Sequence, residues 1–451
     1  MQINKDKVIF FCAKLLHKKK YDILINNKEE FVMITSFKFN NCFAFNSEVE
    51  MCLRADMRTK RFSSNVSKIN DNVSVLKSTV IYGPNNTGKT TLINSIKAMK
   101  RTLLNKEIYL KSNIFTKSNI CEAQMSFVYE GKEYLYEFKY NDKEHLYVYE
   151  RMCEIIRDQY NNEKEELKFL RDTINEEFKC PGNKALEDIL NVTSNNNILI
   201  YTIQIEKFQI LQEIKKILVS EAENIEIVDM NKIPNSKTIQ ILKDKNEETK
   251  KIVEFIKNAD LYLEDYKYNE DIAIDVTIDG KIADERTLKN QNLMDQIRLT
   301  SVYKGHEVPS IIFDSLGTRK IVSLASYVIE ALEKGKTLII DELDSSLHFR
   351  ITRSIISLFN NEINKNAQLI ATLHDISLLA CKRMFRKEQI WFTDKNDERT
   401  ELYSLKEFSY AEDGVRDTSD IQDKYSKGVF GAIPEPDMIA ALLEGDADEE
   451  I

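Results

Sequence analysis

An α/β fold built on a parallel sheet is predicted by three apolar runs, each closed by residues suited to phosphate chemistry. Residues 78–82 run into GPNNTGKT, where Gly83, Gly88, Lys89 and Thr90 complete G-x-x-x-x-G-K-[ST], and residues 91–99 are patterned as a helix. Residues 337–342 read TLII followed by Asp341 and Glu342, and residues 368–373 are closed by His374 and Asp375. Apolar runs ending in polar groups read as buried parallel strands, because α/β sheets present ligands at their C-terminal edge.

Phosphate oxygens need several donors converging on a small volume, and a glycine-rich loop opening a helix supplies them. The nucleotide-binding candidates are therefore Gly83, Asn85, Asn86, Thr87, Gly88, Lys89, Thr90 and Thr91. Lys89 is placed to reach the β- and γ-phosphates, and the Thr90 hydroxyl to ligate Mg²⁺. Asp341 would hold the same ion through water, and Glu342 would orient and polarise the attacking water. His374, at a strand's C-terminal end, is placed to hydrogen-bond a γ-phosphate or that water. Upstream, FDSLGTRK at 313–320 precedes a helical stretch at 321–332. Ser315, Gly317 and Thr318 at its start, with Arg319 and Lys320, make a second anion-binding end.

The remaining elements follow from periodicity. Strands are expected at 32–39, 43–53, 73–82, 123–129, 132–140 and 146–152. From 153 to about 179 the pattern turns helical, with Ile156, Tyr160, Leu167, Leu170, Ile174 and Phe178 at spacings of a helix face. It lacks regular heptad apolarity, so a packed surface helix is expected rather than a coiled-coil arm. Further helices are expected at 204–218 and 247–256, and strands resume at 261–268 and 272–278. The division predicted is an N-terminal extension at 1–32, an ATPase N-lobe at 33–152, a helical insertion at 153–257 and a C-lobe at 258–451.

A chain of 451 residues exceeds the usual single-domain size, and 30% charged with 42% hydrophobic residues is a soluble globular composition. The net charge of −9 argues against bulk electrostatic capture of nucleic acid. Local basic candidates are His17 to Lys20 and the group Lys97, Lys100 and Arg101. Seven scattered cysteines with no C-x-x-C pair predict reduced thiols in a cytoplasmic protein, with neither a zinc site nor a disulfide framework. The apolar stretch at 8–16 is too short to span a bilayer. The acidic EGDADEE run near the end reads as a solvated tail.

The order of phosphate loop, S-x-G helix, Asp-Glu strand and histidine strand resembles the ATP-binding cassette type of head domain, as in SMC, RecF and OLD-like proteins. More closely, it resembles bacterial AAA-labelled ATP-binding proteins, often found in anti-phage or abortive-infection systems. The motifs that carry this are GPNNTGKT, DSLGTRK, IIDELDSSLH and ATLHD, and the likeness runs from Met33 to about Pro436.

The resemblance implies a P-loop NTPase of the ABC-ATPase head type, with a helical insertion and an antiparallel β subdomain. It implies ATP and Mg²⁺ as cofactors, and Glu342 and His374 as catalytic residues. Ser315 and Gly317 take the place of the cassette signature, acting on the partner's nucleotide in an ATP-sandwiched homodimer. Residues 345–347 correspond to the D-loop. The signature reads DSLGT, His348 stands where a closing acid is usual, and Gln124 is the candidate Q-loop glutamine. The expected role is a nucleotide-driven dimerisation switch in bacterial defence, controlling a separate nuclease or toxin. The alternative is a DNA-binding, RecF- or SMC-like repair ATPase. A self-contained OLD-type nuclease would need a metal-binding domain after His374, and Asp446 and Asp448 have no strand to support one. No membrane partner is expected.

Overall fold

Two sheets organise the chain in the computed structural model, which describes residues 32–434 except 158–161, 203–204, 260–261, 271–275, 279–280, 284–290, 382, 397–398 and 417–418. The expected N-terminal extension up to residue 31, the basic stretch at 17–20, Tyr160 and the acidic tail lie outside the described residues. So do parts of the two strands expected at 261–268 and 272–278.

Strands β1 (Val32–Asn40) and β2 (Val49–Cys52) open an antiparallel sheet, and β3 (Ser78–Tyr82) enters a second sheet before helix α1 (Lys89–Leu103). The chain returns to the first sheet for β4 (Ile120–Tyr129), β5 (Lys132–Asn141), β6 (Leu146–Arg157), β7 (Glu163–Asp172) and β8 (Glu177–Lys179). Helix α2 (Gln209–Asn224) leads into β9 (Ile225–Asp229), followed by α3 (Ser236–Asp244) and α4 (Glu247–Asn258). Helix α5 (Leu316–Lys334), β10 (Thr337–Asp341), α6 (Phe349–Phe359), β11 (Gln368–Thr372), β12 (Ile390–Lys395) and β13 (Thr400–Ser404) complete the framework.

The antiparallel sheet has the order β8-β7-β6-β5-β4-β1-β2. The second has the order β9-β10-β11-β3-β12-β13, parallel throughout except for the β12–β13 pair. In it β11 separates β3 from β10, so the C-terminal ends of all three open side by side. Its central strands β3, β10 and β11 are buried on both faces, as a sheet covered on both sides requires. Ile81, Ile339, Ile370 and Trp391 face a core shared with α1 and the antiparallel sheet, through Leu92, Ile96, Phe127 and Phe138. Val80, Leu338, Ile340 and Leu369 face a second core with α5 and α6, through Leu324, Val328, Ile355 and Phe359. Each such side chain contributes about 1.5–3 kcal/mol relative to exposure.

The helix expected over 153–179 is corrected: these residues finish β6 and form β7 and β8. Lysine and glutamate runs such as EKEELK favour helix in isolation. Here cross-strand ion pairs outweigh that preference. Arg151 bridges Glu137 and Glu165, Lys168 reaches Glu154, and Arg157 joins Glu133 to Glu163. Ile156, assigned to the buried face of that helix, is 41% exposed. The run at 43–53 yields a strand only from Val49, and the run at 73–82 divides into Ser74–Leu76 and β3. Of the insertion, residues 225–229 belong to the parallel sheet itself, because α2 delivers β9 to its edge.

Helix α2 buries Glu221 completely, and neither of its carboxylate oxygens has a hydrogen-bond partner. Burial pushes this carboxyl well above its ordinary value of 4.5. Above that pH the folded chain binds more protons than the unfolded one, so stability falls as pH rises, by up to about 1.4 kcal/mol per pH unit. Glu221→Gln is expected to flatten this slope, stabilising the protein more at pH 8 than at pH 5. Thermal midpoints of both proteins at the two pH values check this, and an equal gain or loss at each would refute it.

Candidate phosphate site at the sheet edge

Strand β3 ends at Tyr82, and the loop after it turns back into α1, whose N-cap is Gly88 at φ +100°. A Cβ at that glycine would sit 2.8 Å from the Thr400 side chain, in a backbone region that L-residues avoid. Asn86 also has positive φ, the backbone region that a tight turn in this loop requires. Thr87 is buried as a strut, its hydroxyl 2.8 Å from the Pro84 carbonyl and 2.7 Å from the Thr393 hydroxyl. Asn85, Asn86 and Thr90 are exposed, with Thr90 in the first turn of α1 and Thr91 half-buried behind it. The Lys89 ammonium donates to the carbonyls of Gly83 and Pro84 at 2.6 and 2.8 Å. Burial lowers its pKa, against the opposing pull of Asp341, Glu342 and Asp344. Strands β3 and β10 flank β11 in register, which sets the lysine's loop and the acids at the end of β10 on one sheet edge.

Thr372, the last residue of β11, ties these acids together. Its hydroxyl donates to Asp341 Oδ1 at 2.6 Å and accepts the Glu342 N–H at 2.7 Å. Asp341 is buried, and Glu342 takes a left-handed backbone at φ +54°. A non-glycine residue held there carries strain that surrounding contacts must maintain. His374 Nε2 lies 4.0 Å from Glu342 Oε1. The His374 turn is clamped by Asp344, whose Oδ2 accepts the N–H groups of His374 and Asp375 at 2.7 and 2.5 Å. A carboxylate at Asp341 and a hydroxyl at Thr90 are hard oxygen donors of the kind Mg²⁺ selects.

Ser315 caps α5 by accepting the Thr318 N–H at 3.1 Å. A Cβ on Gly317 would stand 2.7 Å from the Ser346 carbonyl, so only glycine lets this helix approach the 345–347 turn. The contacts of this segment therefore run to its own D-loop counterpart. Around it Ile312, Phe313 and Leu316 are 73%, 61% and 54% exposed. His348 caps α6, its Nδ1 accepting the Arg350 N–H at 3.2 Å, which gives this residue a structural role where an acid is usual. Gln124 lies within β4, paired with Lys38 and Glu137. Lys100 and Arg101, candidates for a basic patch, donate to the carbonyls of Ile225 and Glu107.

Residues 78–380 match the family model described as "AAA domain, putative AbiEii toxin, Type IV TA system". The chain belongs to this family. Its fold is the mixed α/β architecture of a P-loop NTPase, with a parallel sheet beside an antiparallel one. Solved structures similar to the chain include the SMC head domain from Thermotoga maritima, at 12% identity and a TM-score of 0.38 over 82% of this chain and 98% of that one. Another is an Smc head with an extended coiled coil bound to the C-terminal domain of ScpA derived from Pyrococcus furiosus, at 11% identity and a TM-score of 0.40 over 83% and 96%. No curated protein matches. Among the described residues no helix is long and apolar enough to cross a membrane.

Sequence reasoning missed Thr372, Asp344 and Asn231. Thr372 sits in ATLHD two residues before His374 and Asp344 in IIDELDSSLH two residues after Glu342, where a polar residue so close to a predicted site residue was an available signal. Asn231 had none, because β9 before it was read as part of a helical insertion.

Proposed function

We propose that this chain is a Mg²⁺-dependent ATPase whose two copies clamp two ATP molecules head to tail, with hydrolysis loosening the clamp. The observation that carries this reading is the meeting of Lys89, Asp341, Glu342 and His374 at one sheet edge. In it the loop from Gly83 to Thr91 grips the phosphates and Glu342 orients the attacking water. His374 reads the γ-phosphate. Thr90 and Asp341 would hold Mg²⁺, whose chemistry there is neutralisation of phosphate charge. One loop leaves part of a γ-phosphate uncovered, and a second helix N-terminus, at Ser315 and Gly317 of the other copy, supplies the missing donors. The exposed Ile312, Phe313 and Leu316 beside that helix start give the interface an apolar component.

Glu342→Gln is expected to bind ATP, to hydrolyse it about 10²- to 10³-fold more slowly and to accumulate as dimer, as in removal of a group acting mainly in the transition state. Light scattering with and without ATP reads this directly. A variant that stays monomeric in saturating ATP rules out the clamp.

The family description names a toxin of a toxin–antitoxin system, which supports a setting in bacterial defence with a separate nuclease or toxin as effector. Capture of partners by the ATP-loaded Glu342→Gln protein tests that role. The net charge of −9 weighs against the alternative of a dedicated DNA-binding repair ATPase, and a gel shift at low salt with ATP separates the two. The reading places the protein in the cytoplasm.

A further inference from the structure

We propose that Asn231 is a positioning residue for Glu342, holding its carboxylate in one orientation and tying it to the helix that begins at Ser315. The inference rests on the hydrolytic reading above and names a residue that reading does not contain. Asn231 follows β9, the edge strand whose Asp229 pairs with Asp341. The Met230 N–H donates to the Asp341 carbonyl at 3.0 Å, which carries the two chains alongside one another past the ends of their strands. Asn231 Nδ2 then donates to Glu342 Oε2 at 2.7 Å.

The asparagine is itself fixed. Its N–H donates to Asp229 Oδ1 at 2.8 Å, closing an Asx-type turn. Its Oδ1 accepts the Ser345 hydroxyl at 2.9 Å and faces the Lys320 ammonium at 3.5 Å. Both partners are donors toward that atom, so the amide has one sensible orientation, with its NH₂ toward Glu342. Lys320 is buried on α5 and also donates to the Ser345 hydroxyl at 3.0 Å and the Ser345 carbonyl at 3.3 Å. A continuous path of polar contacts thus joins α5 to the 345–346 turn, to Asn231 and to the carboxylate.

The physical need is clear from Glu342. Its side chain is one-third exposed and its backbone is strained, so without a partner the carboxylate would sample several rotamers. One bond to Oε2 selects the rotamer that leaves Oε1 facing His374. Misplacing a reacting group by about 1 Å costs on the order of 10²-fold in rate.

The test is steady-state and single-turnover ATP hydrolysis by the full chain, Asn231→Ala, Glu342→Gln and the double variant, with ATP affinity and thermal midpoint measured for each. Asn231→Ala is expected to lower kcat about 10- to 100-fold with KM, affinity and midpoint unchanged, and to add nothing in the Glu342→Gln background. Turnover by Asn231→Ala at the wild-type rate overturns the proposal, as does an equal further loss in the double variant. An inactive wild type, or a fully active Glu342→Gln, instead overturns the hydrolytic reading and the proposal with it.

Discussion

Replacing Lys89 by Met is expected to weaken ATP binding and to lower hydrolysis about 10²- to 10³-fold, with the fold intact. The ammonium is already largely withdrawn from water, and burial depresses its pKa while Asp341, Glu342 and Asp344 pull the other way. Its present partners are two loop carbonyls, which are weak acceptors beside a phosphate oxygen. A cation held in such low-dielectric surroundings interacts strongly with an arriving anion. Methionine keeps the stem that packs beneath the loop and removes only the charge. Calorimetric titration with ATP and a phosphate-release assay measure the loss, and an unchanged melting midpoint shows that the loop survives. Undiminished affinity would mean that the phosphates bind elsewhere.

Arg171→Met is expected to be the most destabilising single change proposed for this chain, by about 3–5 kcal/mol, because it strands a buried carboxylate. Arg171 and Glu150 are both fully buried and 2.7 Å apart. Glu150 also accepts from the Tyr136 hydroxyl at 3.0 Å and the Leu199 N–H at 2.9 Å, while Arg171 donates to the carbonyls of Ser194 and Asn197. The pair staples the SNNN segment at 194–197 onto strands β6 and β7. Burial pushes the Glu150 carboxyl up even with the guanidinium beside it, so little margin remains once the cation is gone. The double replacement Arg171→Met with Glu150→Leu should recover much of the loss, since an apolar pair of similar volume leaves no unpaired charge. Urea unfolding midpoints of the three proteins decide this, and a single variant as stable as the parent would show that solvent reaches Glu150.

Strands β3, β10 and β11 of the parallel sheet were legible because burial on both faces writes an unbroken apolar run. The loop from Gly83 to Thr91 was legible because phosphate binding restricts residue type at fixed spacing. The same reasoning failed over 153–179. There the residues carry helix-favouring side chains, and ion pairs such as Arg157 with Glu133 exist only once distant strands are paired. It failed again at β9, a short strand that is recognisable only by the sheet it joins.

The sequence by itself therefore determined the motifs, their order and the chemistry each could perform, since these depend on local residue identity. Tertiary structure alone decided which groups meet: Thr372 between two acids, Asp344 beneath the His374 turn, and Asn231 against Glu342. Their partners lie about 30 to about 110 positions apart, and no local pattern encodes contacts made by packing separate strands edge to edge.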